Sequence, residues 1–137
     1  PQYEWINLQI DATPEESQAL AAAGVTMYPG AIRSFAETAA LIMAMDVVIS
    51  VDTAIAHLSG ALGRPTWIML NWFGSDWRWM TDTSETIWYP SMRLFRQHVG
   101  EEPEALFQRV ADAAAQQVDL KFNETVPDTM MPKLNRA

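Results

Sequence analysis

The chain reads as an α/β domain built on a parallel sheet, and three observations carry that expectation. Short, apolar, β-branched runs at residues 47–51 and 66–70 have the look of strands covered on both faces. Segments with helical spacing lie between such runs, which calls for right-handed crossovers. At 137 residues with nearly half of them hydrophobic, the chain is long enough to bury a core.

In order, residues 5–10 are expected to form a strand. Thr13, Pro14, Glu15 and Glu16 start a helix, with Thr13 as cap, Pro14 at the first helical position and acids in the first turn. That helix is expected to end near Gly24. Residues 25–28 make a second strand, closed by Pro29 and Gly30. Ser34 opens another helix, in which Phe35, Ala39, Ile42 and Met45 recur at helical spacing. A strand over residues 47–51 and a helix of small residues over 53–62 follow, stopped by Gly63-Arg64-Pro65 with Arg64 facing solvent. Residues 66–70 form a fourth strand and residues 92–95 a weaker fifth. Residues 103–118 form an amphipathic helix with Leu106, Val110, Ala113 and Ala114 on one face. One domain is expected over residues 1–122, with an aperiodic polar tail over 123–137. Residues 71–90 are long for a connection in a small domain, and such loops are more often functional than accidental.

Composition removes several chemistries. Cysteine is absent, so disulfides, thiolate catalysis and cysteine metal sites are excluded. A formal net charge of −8 argues against binding a phosphate backbone, but a helix N-terminus still offers one small anion a local positive field. No apolar run is long enough to span a bilayer, and a cytoplasmic location is expected. Gly-rich phosphate loops and the Gly-x-Ser-x-Gly elbow are missing, and His57 and His98 lack zinc spacing.

Ligands of parallel α/β sheets sit beyond the carboxyl ends of the strands. Asp52 falls there, after the 47–51 strand, with Thr53 and Ala54 at the start of the next helix and His57 one turn on. Each has an ordinary reading. Asp52 is a favoured N-cap, and Thr53 supports a turn equally well. A lone histidine on a small-residue helix is usually a core histidine bonded to a carbonyl. As a ligand site the same residues offer free N–H groups, a hydroxyl and an imidazole to an anion. Glu37 fits a capping box with Ser34, bonding back to the Ser34 N–H. Trp72, Trp77, Trp79 and Trp88 are expected mostly to pack the long loop, with Trp77 and Arg78 as the exceptions that would face a base, a sugar or an anion.

The run Asp52-Thr53-Ala54-Ile55-Ala56-His57-Leu58-Ser59-Gly60-Ala61-Leu62-Gly63-Arg64-Pro65 resembles the donor-binding motif of glycosyltransferase family 9, the heptosyltransferase-like enzymes. Residues 35–42, 76–79 and 88–96 resemble the members fused to tetratricopeptide repeats, and the likeness covers about residues 4–97. The resemblance implies a Rossmann-like three-layer domain, the C-terminal half of a two-domain GT-B enzyme. It implies an inverting, metal-independent sugar transfer from a nucleotide-diphosphate sugar to an acceptor hydroxyl, with no further cofactor. Asp52, Thr53, Ala54 and His57 would bind the donor, Glu37 would reach the ribose, and no catalytic base is assigned to this chain. The base and the acceptor contacts would come from an N-terminal acceptor domain of the same enzyme or another chain, so activity in isolation is not expected. A homodimer is a further expected association.

Two departures stand against that pattern. The opening strand and its basic turn are not found before Trp5, and Ile10 stands where lysine is common in related sequences. The sheet must then close differently, recruit a strand from another chain, or belong to a fragment, which the first residue, Pro1, also suggests. The rival expectation is a non-catalytic nucleotide or sugar-phosphate binding module, or a protein-interaction domain. A phosphoacceptor role for Asp52 fits poorly, because the acidic pair of a receiver domain is missing.

Overall fold

Residues 3–74 and 76–124 are described by the computed structural model of the chain. Three parallel strands form one sheet: β1 (Val48–Val51), β2 (Thr66–Leu70) and β3 (Met92–Arg96), in the order β1-β2-β3. Val48 lies opposite Thr66, and Thr66 opposite Met92. Helix α1 (Pro14–Ala22) begins at the expected Thr13 cap, which with Glu16 makes a complete capping box. Helix α2 (Phe35–Ala44) follows the Ser34 cap. Helix α3 (Ala54–Ala61) is the crossover from β1 to β2, and α4 (Pro103–Glu124) follows β3.

Period-two alternation along β2 divides the core between the two faces of the sheet. Ile68 and Leu70 join Ala56 of α3, Trp79, Met92 and Leu94, with Tyr89 packed against them. Trp67 joins Phe95 and the α4 stripe of Leu106, Val110 and Ala113. The architecture is therefore α/β and Rossmann-like, with helix on both sides of a parallel sheet. Burial of each large side chain in these clusters stabilises the fold by roughly 1.5–3 kcal/mol.

Close packing on the α3 side has a polar seam. The Thr66 hydroxyl donates to the Arg64 carbonyl at 2.9 Å and lies 2.6 Å from the Ser59 hydroxyl, with both side chains fully buried. Arg64 does not face solvent as expected. It is half-buried, and its guanidinium donates to the Met45 carbonyl, tying the α3–β2 turn to the end of α2.

Residues 5–10 and 25–28 do not form the expected strands. They meet in one parallel bridge, Ile6 with Thr26, where Asn7 N–H donates to the Thr26 carbonyl and Thr26 N–H to the Trp5 carbonyl. Neither segment is hydrogen-bonded to the sheet. A cavity of about 1020 Å³ is lined by Trp5, Ile6 and Leu8 on the N-terminal segment and by Val48, Ile49 and Val51 of β1. With no third strand to share a ladder, a two-strand contact is too small to extend. The same cavity explains Phe35, which helical spacing places inside but which is 67% exposed and lines the cavity, while Thr38 and Ile42 form the buried stripe of α2.

Helix α4 runs six residues past its expected end, to Glu124, so the first two residues of the expected tail are helical. The remainder of that tail, 125–137, lies outside the described residues. Among the described residues, no helix is long and apolar enough to cross a membrane.

Candidate functional site

Strand β1 ends at Val51, and the chain turns through Asp52 and Thr53 into α3. Thr53, not Asp52, occupies the cap position, with extended backbone (φ −142°, ψ 173°) and no capping bond from its side chain. Its hydroxyl instead lies 3.1 Å from the Ser50 hydroxyl, which donates to the Val51 carbonyl at 2.9 Å. The first intrahelical bond runs from His57 N–H to the Thr53 carbonyl, at 3.3 Å. The N–H groups of Ala54, Ile55 and Ala56 precede it and have no acceptor within the helix. No acid lies in the first turn of α3, so its positive dipole end is not offset from within the helix.

His57 is held by three aromatic and acidic neighbours. Its Nδ1 lies 3.1 Å from the Tyr89 hydroxyl. Trp79 stacks on the imidazole with ring centroids 5.2 Å apart and planes 24° apart, while Tyr89 meets it edge-on at 5.8 Å. Its Nε2 lies 3.6 Å from Asp52 Oδ1, and both side chains are 36% exposed. At that distance the carboxylate attracts a charged imidazole but makes no good hydrogen bond with it. The ordinary reading, a histidine bonded to a backbone carbonyl, is replaced by a side-chain cage with Nδ1 at Tyr89 and Nε2 beside the half-exposed Asp52.

The long connection between β2 and β3 builds that cage. A one-turn 3₁₀ helix (Trp77–Trp79) is capped by Asp76, which accepts from Arg78 N–H at 2.9 Å. The Arg78 guanidinium donates to both Asp76 oxygens, at 2.9 and 2.8 Å. The Asp76 carboxyl is held below its ordinary value of 3.8, first by the Arg78 backbone N–H, against an opposing effect of desolvation, then by the Arg78 guanidinium and by His57. Trp79 is fully buried; its carbonyl accepts from Arg96 at 2.9 Å, and its indole N–H has no acceptor among the described residues.

The sequence-derived candidates therefore separate. Asp52 and His57 come together, facing the loop. Thr53 and Ala54, although adjacent, line the large cavity, which neither Asp52 nor His57 lines. Glu37 is committed to the start of α2: its carboxylate accepts from Arg33 N–H at 2.6 Å and from the Ser34 hydroxyl at 3.2 Å, not from Ser34 N–H as a regular capping box would. Arg78 is paired with Asp76 and lies over the Trp77 ring at 4.7 Å, so an incoming anion must compete with a two-point ion pair.

The tryptophans also differ from expectation. Trp79 alone of the four is buried; Trp72, Trp77 and Trp88 are 49–65% exposed, with Trp77 and Trp88 edge-to-face at 5.3 Å. A 3₁₀ turn places its three side chains on different sides, so only one can point into the core. Tyr89 and Asp76 are neighbours that sequence reasoning did not assign to the site, and Trp79, expected to pack the loop, does so against His57. The sequence signal was the clustering of aromatics in 72–89, but nothing local to it indicates contact with residue 57. Among the described residues, no three His, Asp or Glu side chains converge on a common point.

No curated protein and no solved structure matches the chain. Residues 29–70, which run from the turn before α2 through β1 and α3 to the end of β2 and include Asp52, Thr53, Ala54 and His57, match the family model described as glycosyltransferase family 9 (heptosyltransferase).

Proposed function

We propose that the chain is the donor-binding half of an inverting, metal-independent glycosyltransferase that takes its sugar from a nucleotide-diphosphate sugar. The observation that carries this reading is the coincidence of the family match with a specific geometry. The matched segment contains a strand end, a helix start whose first N–H groups have no acceptor within the helix, and a half-exposed histidine one turn in. In this reading the diphosphate sits against the N–H groups of Ala54 and Ile55, and the Thr53 hydroxyl turns to it from Ser50. The anion then spans the helix start, from the side where Thr53 and Ala54 line the cavity to the loop side, where His57 offers a further donor. As the anomeric C–O bond breaks, charge grows on the diphosphate oxygen, and these fixed donors stabilise it. Asp52, beside His57, orients a sugar or ribose hydroxyl. In this reading the proton of the attacking hydroxyl goes to a base on another domain. An N-terminal acceptor domain, of the same enzyme or another chain, fills that role, and the chain alone is inactive.

The test is calorimetry with UDP, GDP and ADP and their sugar derivatives, repeated with His57→Ala and Asp52→Asn. At least one nucleoside diphosphate binds with a Kd between micromolar and millimolar, about −4 to −8 kcal/mol. His57→Ala weakens it by about tenfold, the loss of one hydrogen bond to a charged group. Identical affinities for the three proteins overturn the assignment.

A further inference from the structure

The His57 ring has two nitrogens in different surroundings. Nδ1 faces the Tyr89 hydroxyl at 3.1 Å in a half-buried contact, while Nε2 is turned to the half-exposed side beside Asp52. A phenol and a neutral imidazole can share a proton in two ways, but the unprotonated ring nitrogen is much the better acceptor of the two groups. The favoured arrangement has the phenol donating to Nδ1 and the ring proton on Nε2.

Tyr89 is well placed to impose this. Its ring lies against the backbone of Gly60, where an added Cβ would fall 2.7 Å from the ring. Its carbonyl accepts from Met92 N–H at 3.0 Å, which ties the residue to the start of β3. The stacked, fully buried Trp79 prevents the imidazole from rolling away. The imidazole is thus held between the Trp79 face and the Tyr89 edge, with its Nδ1 at the phenol.

We propose that Tyr89 is a positioning residue that fixes His57 as the Nε2–H tautomer, so that the site offers an incoming ligand oxygen a hydrogen-bond donor and not a lone pair. The inference rests on the donor-site reading for its use, but the tautomer itself is independent of any ligand. Asp52 Oδ1, 3.6 Å from Nε2, is too distant to consume the proton in a good hydrogen bond. A proton on Nδ1 would point the Nε2 lone pair at an anion and repel it. One residue of the long loop thereby decides whether His57, near the start of α3, presents a donor or an acceptor.

The experiment is two-bond ¹H–¹⁵N NMR of the imidazoles in ¹⁵N-labelled protein, followed to alkaline pH until the spectra no longer change. His98, exposed, is an internal reference. The expected result is a His57 pattern of one Nε2–H tautomer in wild type, moving toward the averaged His98 pattern in Tyr89→Phe, which retains the ring and its packing. UDP, GDP and ADP titrations of the same two proteins should show weakening by about tenfold in the variant for whichever diphosphate binds. A wild-type His57 with its proton on Nδ1, or averaged like His98, overturns the proposal without recourse to any variant. A fixed tautomer with no diphosphate binding supports the role of Tyr89 and overturns the donor-site reading instead.

Discussion

Gly60 and Tyr89 touch across the interior, so closely that no side chain fits between them. A Cβ on Gly60 would lie 2.3 Å from Met92 Cε and 2.7 and 2.8 Å from two atoms of the Tyr89 ring. The methionine end can swing aside, but the tyrosine ring is bonded through its hydroxyl to His57. Gly60→Ala should gain up to about 1 kcal/mol of helix propensity and lose about 1–3 kcal/mol to overpacking. The net is a destabilisation, read from the urea midpoint. A variant more stable than wild type would mean that Tyr89 is free to move, and the cage around His57 with it.

Asp76 gives the fold an acid-sensitive element. Its carboxyl is held below 3.8 in the folded chain, chiefly by the Arg78 N–H. A group whose folded value is depressed contributes stability that is present above the unfolded value and disappears as pH falls through the folded one. Asp76→Asn should therefore be less stable than wild type at neutral pH, with the difference closing below about pH 3.8. Thermal melts of both proteins across the acid range check this. A gap that persists at the acid end would trace the loss to the cap alone and not to the charge.

The elements legible in the sequence are those whose signals are local. The Thr13 and Ser34 caps, the β-branched strands of residues 48–51 and 66–70 and the α4 stripe each carry their own chemistry. Residues 5–10 and 25–28 have equally good strand composition and fail because a ladder needs a partner, which is a property of the whole sheet. The site divides the same way. Asp52, Thr53 and His57 are visible from spacing, since one turn of helix links the last two. Tyr89 is 32 residues from His57, and only the return of the loop over α3 joins them.

The outer edge of β1 should be open in solution. Val48 N–H donates to the Pro65 carbonyl at 2.9 Å, so Val48 and Ser50 turn their backbone groups to β2. Alternation then directs Ile49 and Val51 away from the sheet, toward the cavity. Amide exchange at Ile49 and Val51 should be faster than at Val48 and Ser50 by at least about two orders of magnitude. Protection at Ile49 equal to that at Val48 would show the edge to be covered, as by a strand from a second copy, and concentration dependence of that protection would identify the cover.

The buried pair of hydroxyls between α3 and β2 has a proton order fixed by its neighbours. Thr66 donates to the Arg64 carbonyl, so the Ser59 hydroxyl must supply the proton in the 2.6 Å contact with Thr66. Thr66→Val keeps the shape but strands both the Ser59 donor and the Arg64 carbonyl, at a cost of about 1–3 kcal/mol. Ser59→Ala removes a donor and leaves Thr66 still bonded to Arg64, and so costs less, about 1 kcal/mol. In the double variant the orphaned Ser59 donor is gone, so the combined loss should be smaller than the sum of the two single losses. Urea unfolding of the four proteins closes the cycle. Strict additivity would show that the two hydroxyls do not share a proton, and would leave Thr66 bonded to the Arg64 carbonyl alone.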